Sequence, residues 1–177
     1  MSEFGVVLSP SEIKFERLLP GPIERVWNYL ADSEMRGKWF ASGEMELREG
    51  GAVELRFQHD NLSPTKEETP EKYKGMANGH ISHGRITHCD PPRLLSFLWH
   101  EENGDDTEMT FELLPKGDEV LLTLTHTRLK SREEMRNVAG GWHSHLAILE
   151  DNLRGVTPRP FWSTHAVIEA EYEKRLG

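Results

Sequence analysis
The sequence predicts an α+β fold in which a curved antiparallel sheet wraps around a long C-terminal helix. Three observations carry that expectation. Residues 131–155 hold Met135, Val138, Ala139, Trp142, Leu146, Leu149 and Leu153 on one stripe at helical period. Upstream, apolar and polar residues alternate in the runs 13–19, 53–59, 107–113 and 120–126, the pattern of half-buried strands. Turn residues separate successive runs at Gly50-Gly51, Asp90-Pro91-Pro92 and Lys116-Gly117-Asp118, so the strands follow one another as a meander.

The first run sets Ile13, Phe15, Arg17 and Leu19 against Glu12, Lys14 and Glu16. Gly21 turns the chain, and Pro22 opens a short helix whose apolar face is Ile23, Val26, Trp27 and Leu30. Asp32 or Ser33 caps a second short helix that reaches Lys38-Trp39-Phe40, making a corner. A strand is expected on each side of Gly50-Gly51, the second with Val53, Leu55, Phe57 and His59 on one face. Residues 60–79 are polar, without useful period, and read as either a lid or a solvated loop. In the run 93–100, Leu95, Phe97 and Trp99 oppose Leu94 and Leu98, the mark of a central strand. Met109, Phe111 and Leu113, then Leu122, Leu124 and His126, continue the inward faces.

The long helix has both its end signals. Ser131 and Glu134 form a capping-box pair at its start. Gly155, with Pro158 beyond it, ends it. Its oddity is Gly140-Gly141, where each glycine costs about 1 kcal/mol relative to alanine. Such a pair wants a compensation: a bend, a close backbone approach, or space kept open beside Trp142 for a ligand. After Gly155, the run TPRPFW reads as an extended tether. Ser163 or Thr164 then caps a last helix with Ile168, Tyr172 and Leu176 in register, against the body or a neighbouring subunit. The expected organisation is one domain over residues 1–155 and an extension over 156–177.

Composition narrows the function classes. The 177 residues carry 21 Lys plus Arg against 30 Asp plus Glu, a net charge of −9, which disfavours a nucleic-acid partner. The single cysteine, Cys89, cannot form an internal disulfide and fits a reducing compartment. No signal peptide is read at the N-terminus and no apolar run is long enough to span a membrane, so a cytoplasmic protein is expected. Nine histidines prompt a search for metal ligands. His143 and His145 point about 200° apart on a helix, and no ligand-spaced motif occurs, so no metal and no cofactor is expected. Cys89 beside Asp90 and the lack of a GxSxG elbow speak against nucleophilic catalysis, and Glu67-Glu68 reads as a solvated face.

Several stretches together resemble the AHSA1-like family, named after the activator of the Hsp90 ATPase, within the START/Bet v 1-like (SRPBCC) superfamily. They are IERVWNYLADSEMRGKWF, GGAVELRF, GRITHCDPPRLLSFLW, EMTFELLPKGDEVLLTLTH and GWHSHLAILEDNL, spanning roughly residues 12–154. The resemblance implies a helix-grip fold with a cavity between sheet and long helix, used for apolar molecules. The loop 60–79 and the extension 156–177 depart from the commoner family pattern.

With that cavity, the candidate ligand-binding residues are Trp39, Phe57, His59, Phe97, Trp99, Met109, Phe111, Leu124, His126, Trp142, His145 and Leu149. Each aromatic is otherwise an ordinary core residue. Each histidine is otherwise a strand-end or helix-edge residue with a local partner. Three functions follow. The first is a module binding an apolar or amphipathic small molecule. The second is a chaperone-associated stress protein, possible as a homodimer, working through its surface. The third is a cyclase- or lyase-type enzyme with a cavity histidine as acid or base, which would require that histidine within reach of a carboxylate or bound substrate.

Overall fold
The computed structural model describes residues 3–100 and 106–177. Its sheet has seven strands in the order β1 (Val6–Ser9), β2 (Glu12–Pro20), β7 (Glu119–Thr127), β6 (Asp106–Lys116), β5 (Leu94–His100), β4 (His80–Asp90) and β3 (Ala52–Phe57). Every neighbouring pair is antiparallel, and the sheet curves around helix α3 (Arg132–Arg154). The alternation in β2 does what its pattern implies: Ile13, Phe15, Arg17 and Leu19 are buried, and the residues between them are half exposed. β5 lies inside the sheet, paired on both sides, as its two apolar faces require.

Helices α1 (Ile23–Ala31) and α2 (Ser33–Arg36) turn the corner between β2 and β3. Asp32 caps α2, its carboxylate accepting from the Met35 N–H at 3.0 Å. The corner is held from inside by Arg36, which is 2 % exposed. Its guanidinium donates to the carbonyls of Leu30 (3.1 Å), Ala31 (3.2 Å), Ala41 (3.0 Å) and Gly43. Carbonyl dipoles thus replace the water that a buried cation loses, and burial still draws its pKa down to about 10.

One local expectation fails. The stretch before Gly50 forms no strand among the described residues, only the isolated bridges Ser42↔Arg56 and Met45↔Val53. Gly43 explains this: at φ +116° it breaks the extended run, and a Cβ there would lie 2.2 Å from the Glu54 carbonyl. The seventh strand comes instead from Val6–Ser9, which pairs along β2 at the sheet edge.

At the start of α3, the Ser131 hydroxyl accepts from the Glu134 N–H at 3.1 Å. Glu134 reaches back one residue further than a capping box does, to the Lys130 N–H at 2.9 Å. Gly155 ends the helix at φ +73°. Helix α4 (Phe161–Leu176) begins earlier than Ser163 or Thr164 would set it, with Pro160 as its N-terminal boundary. Its cap is borrowed from far away in sequence: the Glu67 carboxylate accepts from the Ser163 N–H at 3.2 Å. Glu67 is therefore a helix cap and not merely a solvated charge.

α4 packs on α3 of the same chain. Tyr172, 1 % exposed, accepts from the Gly5 N–H at 2.8 Å and bonds His143 Nδ1 at 2.8 Å, while Ile168 and Leu176 are partly buried. The glycine pair now divides into two roles. A Cβ on Gly140 would meet His165 Cε1 at 3.3 Å and Glu169 Cα at 3.8 Å, so Gly140 lets α4 approach. Gly141 has nothing within 4 Å and faces open space.

The two positions should therefore respond differently to a methyl group. Gly141→Ala is expected to stabilise the protein by about 1 kcal/mol, the helix-propensity gain. Gly140→Ala should gain less or lose, because α4 must shift. Equal midpoints for both variants in urea unfolding would contradict this division.

Candidate functional site
Gly141 opens onto a cavity of about 430 Å³ between sheet, α3 and α4. The sheet contributes Phe57, His80, Trp99 and His126, and the tight turn after β3 contributes His59. α3 supplies Asn137, Val138, Gly141, Trp142 and His145, one face of three turns. The remaining wall is Phe40 from the corner, Lys72, Tyr73 and Met76 from the 58–79 connection, and Phe161, Trp162 and His165 from α4. Flat rings dominate. Phe57 stacks on Trp99 with centroids 5.5 Å apart, and Tyr73 stacks on Trp162 at 4.9 Å.

Four buried imidazoles interrupt this apolar lining, and hydrogen-bond partners fix the tautomers of three of them. The Trp142 indole N–H donates to His126 Nδ1 at 2.9 Å, so a neutral His126 carries its proton on Nε2. His145 Nδ1 donates to the Trp39 carbonyl at 2.8 Å, leaving its Nε2 as an acceptor. Ser144 gives its hydroxyl proton to the Gly140 carbonyl at 2.7 Å. His165 Nδ1, 3.1 Å from the Ser144 oxygen, is then the donor, and its Nε2 keeps a lone pair. His59 packs between Phe161 (4.5 Å) and Trp162 (4.8 Å) with its Nδ1 buried and unpartnered.

Burial disfavours the charged ring in all four. It draws His126 down to about 3, and His145 to about 3 with further repulsion from His59. His59 falls to about 4, by burial and then by the charges of His165 and His80. His165 is also lowered by burial, but the Glu169 carboxylate opposes that fall. His165 Nε2 lies 3.3 Å from both Glu169 Oε2 and the Tyr73 oxygen. Tyr73 donates its proton to Glu169, and burial followed by that bond raises its pKa. For Glu169, burial works toward a higher pKa, yet the bonds from Tyr73 and Lys72 outweigh it and hold the group ionised.

Of the residues singled out from the sequence, Phe57, His59, Trp99, His126, Trp142 and His145 meet at this cavity. Trp39, Phe97, Met109, Phe111, Leu124 and Leu149 do not line it; they are packed core beneath it. Trp39 gives its indole N–H to the Tyr29 carbonyl at 2.7 Å and meets the edge of Phe111. Phe111 in turn lies between Trp39 and Trp142, and Leu124 is paired with Phe15 and Phe111 in the sheet. The inward face of the sheet is longer than the cavity, so correct phase alone did not distinguish wall from floor.

The wall from α4 and the connection was missed. Phe161 and Trp162 read as a tether, although Pro160 before two aromatics is a helix-start signal. Tyr73 and His165 carried no periodic signal. Among the described residues, no group of three or more His, Cys, Asp or Glu side chains could hold a metal ion, and no helix is long and apolar enough to cross a membrane.

No curated protein matches the chain. The solution structure of the protein encoded by gene BPP1335 of Bordetella parapertussis is 45% identical, with a TM-score of 0.82, covering 97% of this chain and 89% of that one. CalU16 from Micromonospora echinospora shares the fold at 24% identity and a TM-score of 0.69, covering 93% of this chain and 88% of that one. DynU16, from the dynemicin biosynthetic locus, shares it at 16% identity and a TM-score of 0.64, covering 85% of this chain and 49% of its own. The family described as activator of Hsp90 ATPase homolog 1-like protein matches residues 20–154, from the end of β2 to the end of α3. The chain belongs to that family.

Proposed function
We propose that this protein is a receptor for a planar, apolar or amphipathic small molecule, held in the cavity between sheet, α3 and α4. The observation that carries the reading is the cavity itself: about 430 Å³, walled by stacked rings and interrupted by neutral imidazoles. Such a lining offers dispersion to a flat guest and a few fixed hydrogen-bonding positions to its polar groups. The fold shared with DynU16, a protein of a biosynthetic locus, is in keeping with small-molecule work. A chaperone partner would be met by an outer face, and the interior cavity is what favours the receptor reading over it.

A plug tests this directly. Gly141→Leu adds a side chain at a cavity-wall position where a Cβ meets nothing within 4 Å. An anilinonaphthalene sulfonate probe should bind the wild type saturably, and the plugged variant, still folding cooperatively, about tenfold or more weakly. Equal binding by both, or none by the wild type, would overturn the receptor reading.

The histidines set a pH window for the fold. His59, His126 and His145 have native values of about 4, 3 and 3 against an ordinary 6.5. Below 6.5 the unfolded chain takes up protons that the native chain refuses. Their contribution is therefore full above 6.5 and falls as the pH drops toward the native values. Each should cost on the order of 2 kcal/mol by about pH 5. Urea midpoints should fall steeply over that range, and less steeply in His145→Gln. A flat profile would mean these rings are charged in the native state.

A further inference from the structure
Neutral imidazoles can also react, and one of the four is placed unlike the rest. We propose that His165 is a general base that removes a proton from a weakly acidic C–H of a planar aromatic molecule held in the cavity. The inference rests on the receptor reading and adds chemistry to it.

His126 already accepts from Trp142 at Nδ1, so in the neutral ring its other nitrogen carries a proton and cannot serve as a base. His145 has a free Nε2, but among the described residues no carboxylate is bonded to it, and burial draws its pKa down to about 3. His59 is packed against Phe57, His145, Phe161 and Trp162. His165 differs on each count. Ser144 commits its Nδ1–H, so the lone pair is on Nε2. Tyr73 gives its proton to Glu169 and so does not donate to Nε2, which faces the Tyr73 and Glu169 oxygens at 3.3 Å. Glu169 stands 3.3 Å from Nε2, where it would stabilise the imidazolium once formed.

The surroundings of the ring are specific. α3 presents the Ser144 hydroxyl and the Gly140 carbonyl; the connection presents Tyr73 and Lys72; α4 presents Glu169; His59 lies across the cavity. Lys72 pairs with Glu169 at 3.1 Å, and its charge works against protonation of His165 while that of Glu169 works for it. In the step itself, Nε2 takes the proton, the C–H electron pair forms a new π bond to the neighbouring atom, and that atom's bond to an electronegative atom of the guest breaks. The electron pair of the broken bond stays on the electronegative atom, toward which the Lys72 ammonium on the same wall can donate. The imidazolium then returns its proton to water. Glu169 acts through His165 and is a positioning residue.

A nitrobenzisoxazole is the probe, being flat, aromatic and a carbon acid. Loss of its C–H proton closes the nitrile π bond, breaks the N–O bond and releases a coloured phenolate. Binding is read separately, by quenching of tryptophan fluorescence. Turnover should rise with pH to a plateau, with a midpoint below 6.5. His165→Gln should reduce turnover about a hundredfold or more while quenching persists. Glu169→Gln should move the midpoint down and Lys72→Met should move it up, opposite shifts that a merely structural role would not produce. Quenching without turnover, or turnover unchanged in His165→Gln, overturns the base and leaves the receptor standing. No quenching at all overturns both.

Discussion
The burial of uncharged imidazoles is the constraint on which this architecture depends. The sheet and α3 are joined at the cavity by Trp142 and His126, and α3 is joined to the corner by His145 and the Trp39 carbonyl. Each bond needs a neutral ring with its proton on one particular nitrogen. A charge on either would sit between indole and phenyl rings with no counterion bonded to it, at a cost of several kcal/mol. The same condition that ties the layers together also keeps the cavity lining free of net positive charge from these rings.

Much of this was legible in the sequence, and the reason is periodicity. The stripe on α3 and the alternation in β2, β6 and β7 report which face is buried, and the fold follows from matching those faces. The candidate site was half legible for the same reason. His126 and His145 were found because they share phase with apolar neighbours, whereas His59, expected on the face of β3, reaches the cavity from the turn after that strand ends at Phe57. Trp39, Phe111 and Leu149 share that phase too, and only the depth of the cavity separates them from the wall. Tyr73 and His165 were beyond such reasoning, since they are brought to the cavity by long-range packing of a polar connection on a helix with a narrow apolar stripe.

Much of the unread wall lies beyond the residues that the family model matches. The family match closes with α3, while Phe161, Trp162, His165 and Glu169 come after it. Gly140 and Gly141 are the inner side of that addition. One gives α4 room to approach, and the other keeps the space that the approach would otherwise fill. Two adjacent glycines on one helix thus serve a contact and a void, which is why neither a kink nor a ligand alone explained the pair.

The connection and α4 are fastened to each other at two points a helical turn and a half apart. Glu67 caps the first turn of α4, and Lys72 and Tyr73 hold Glu169 further along. The connection cannot lift from α4 without stripping the helix of its cap and freeing Glu169. The residence time of any guest would then be governed by polar fastenings at the rim and not by the aromatic walls that give it affinity. Added salt weakens such fastenings and, by strengthening apolar burial, leaves the walls at least as adhesive. Exchange would quicken with ionic strength while equilibrium occupancy hardly changed, separating how fast this protein trades its guest from how tightly it holds one.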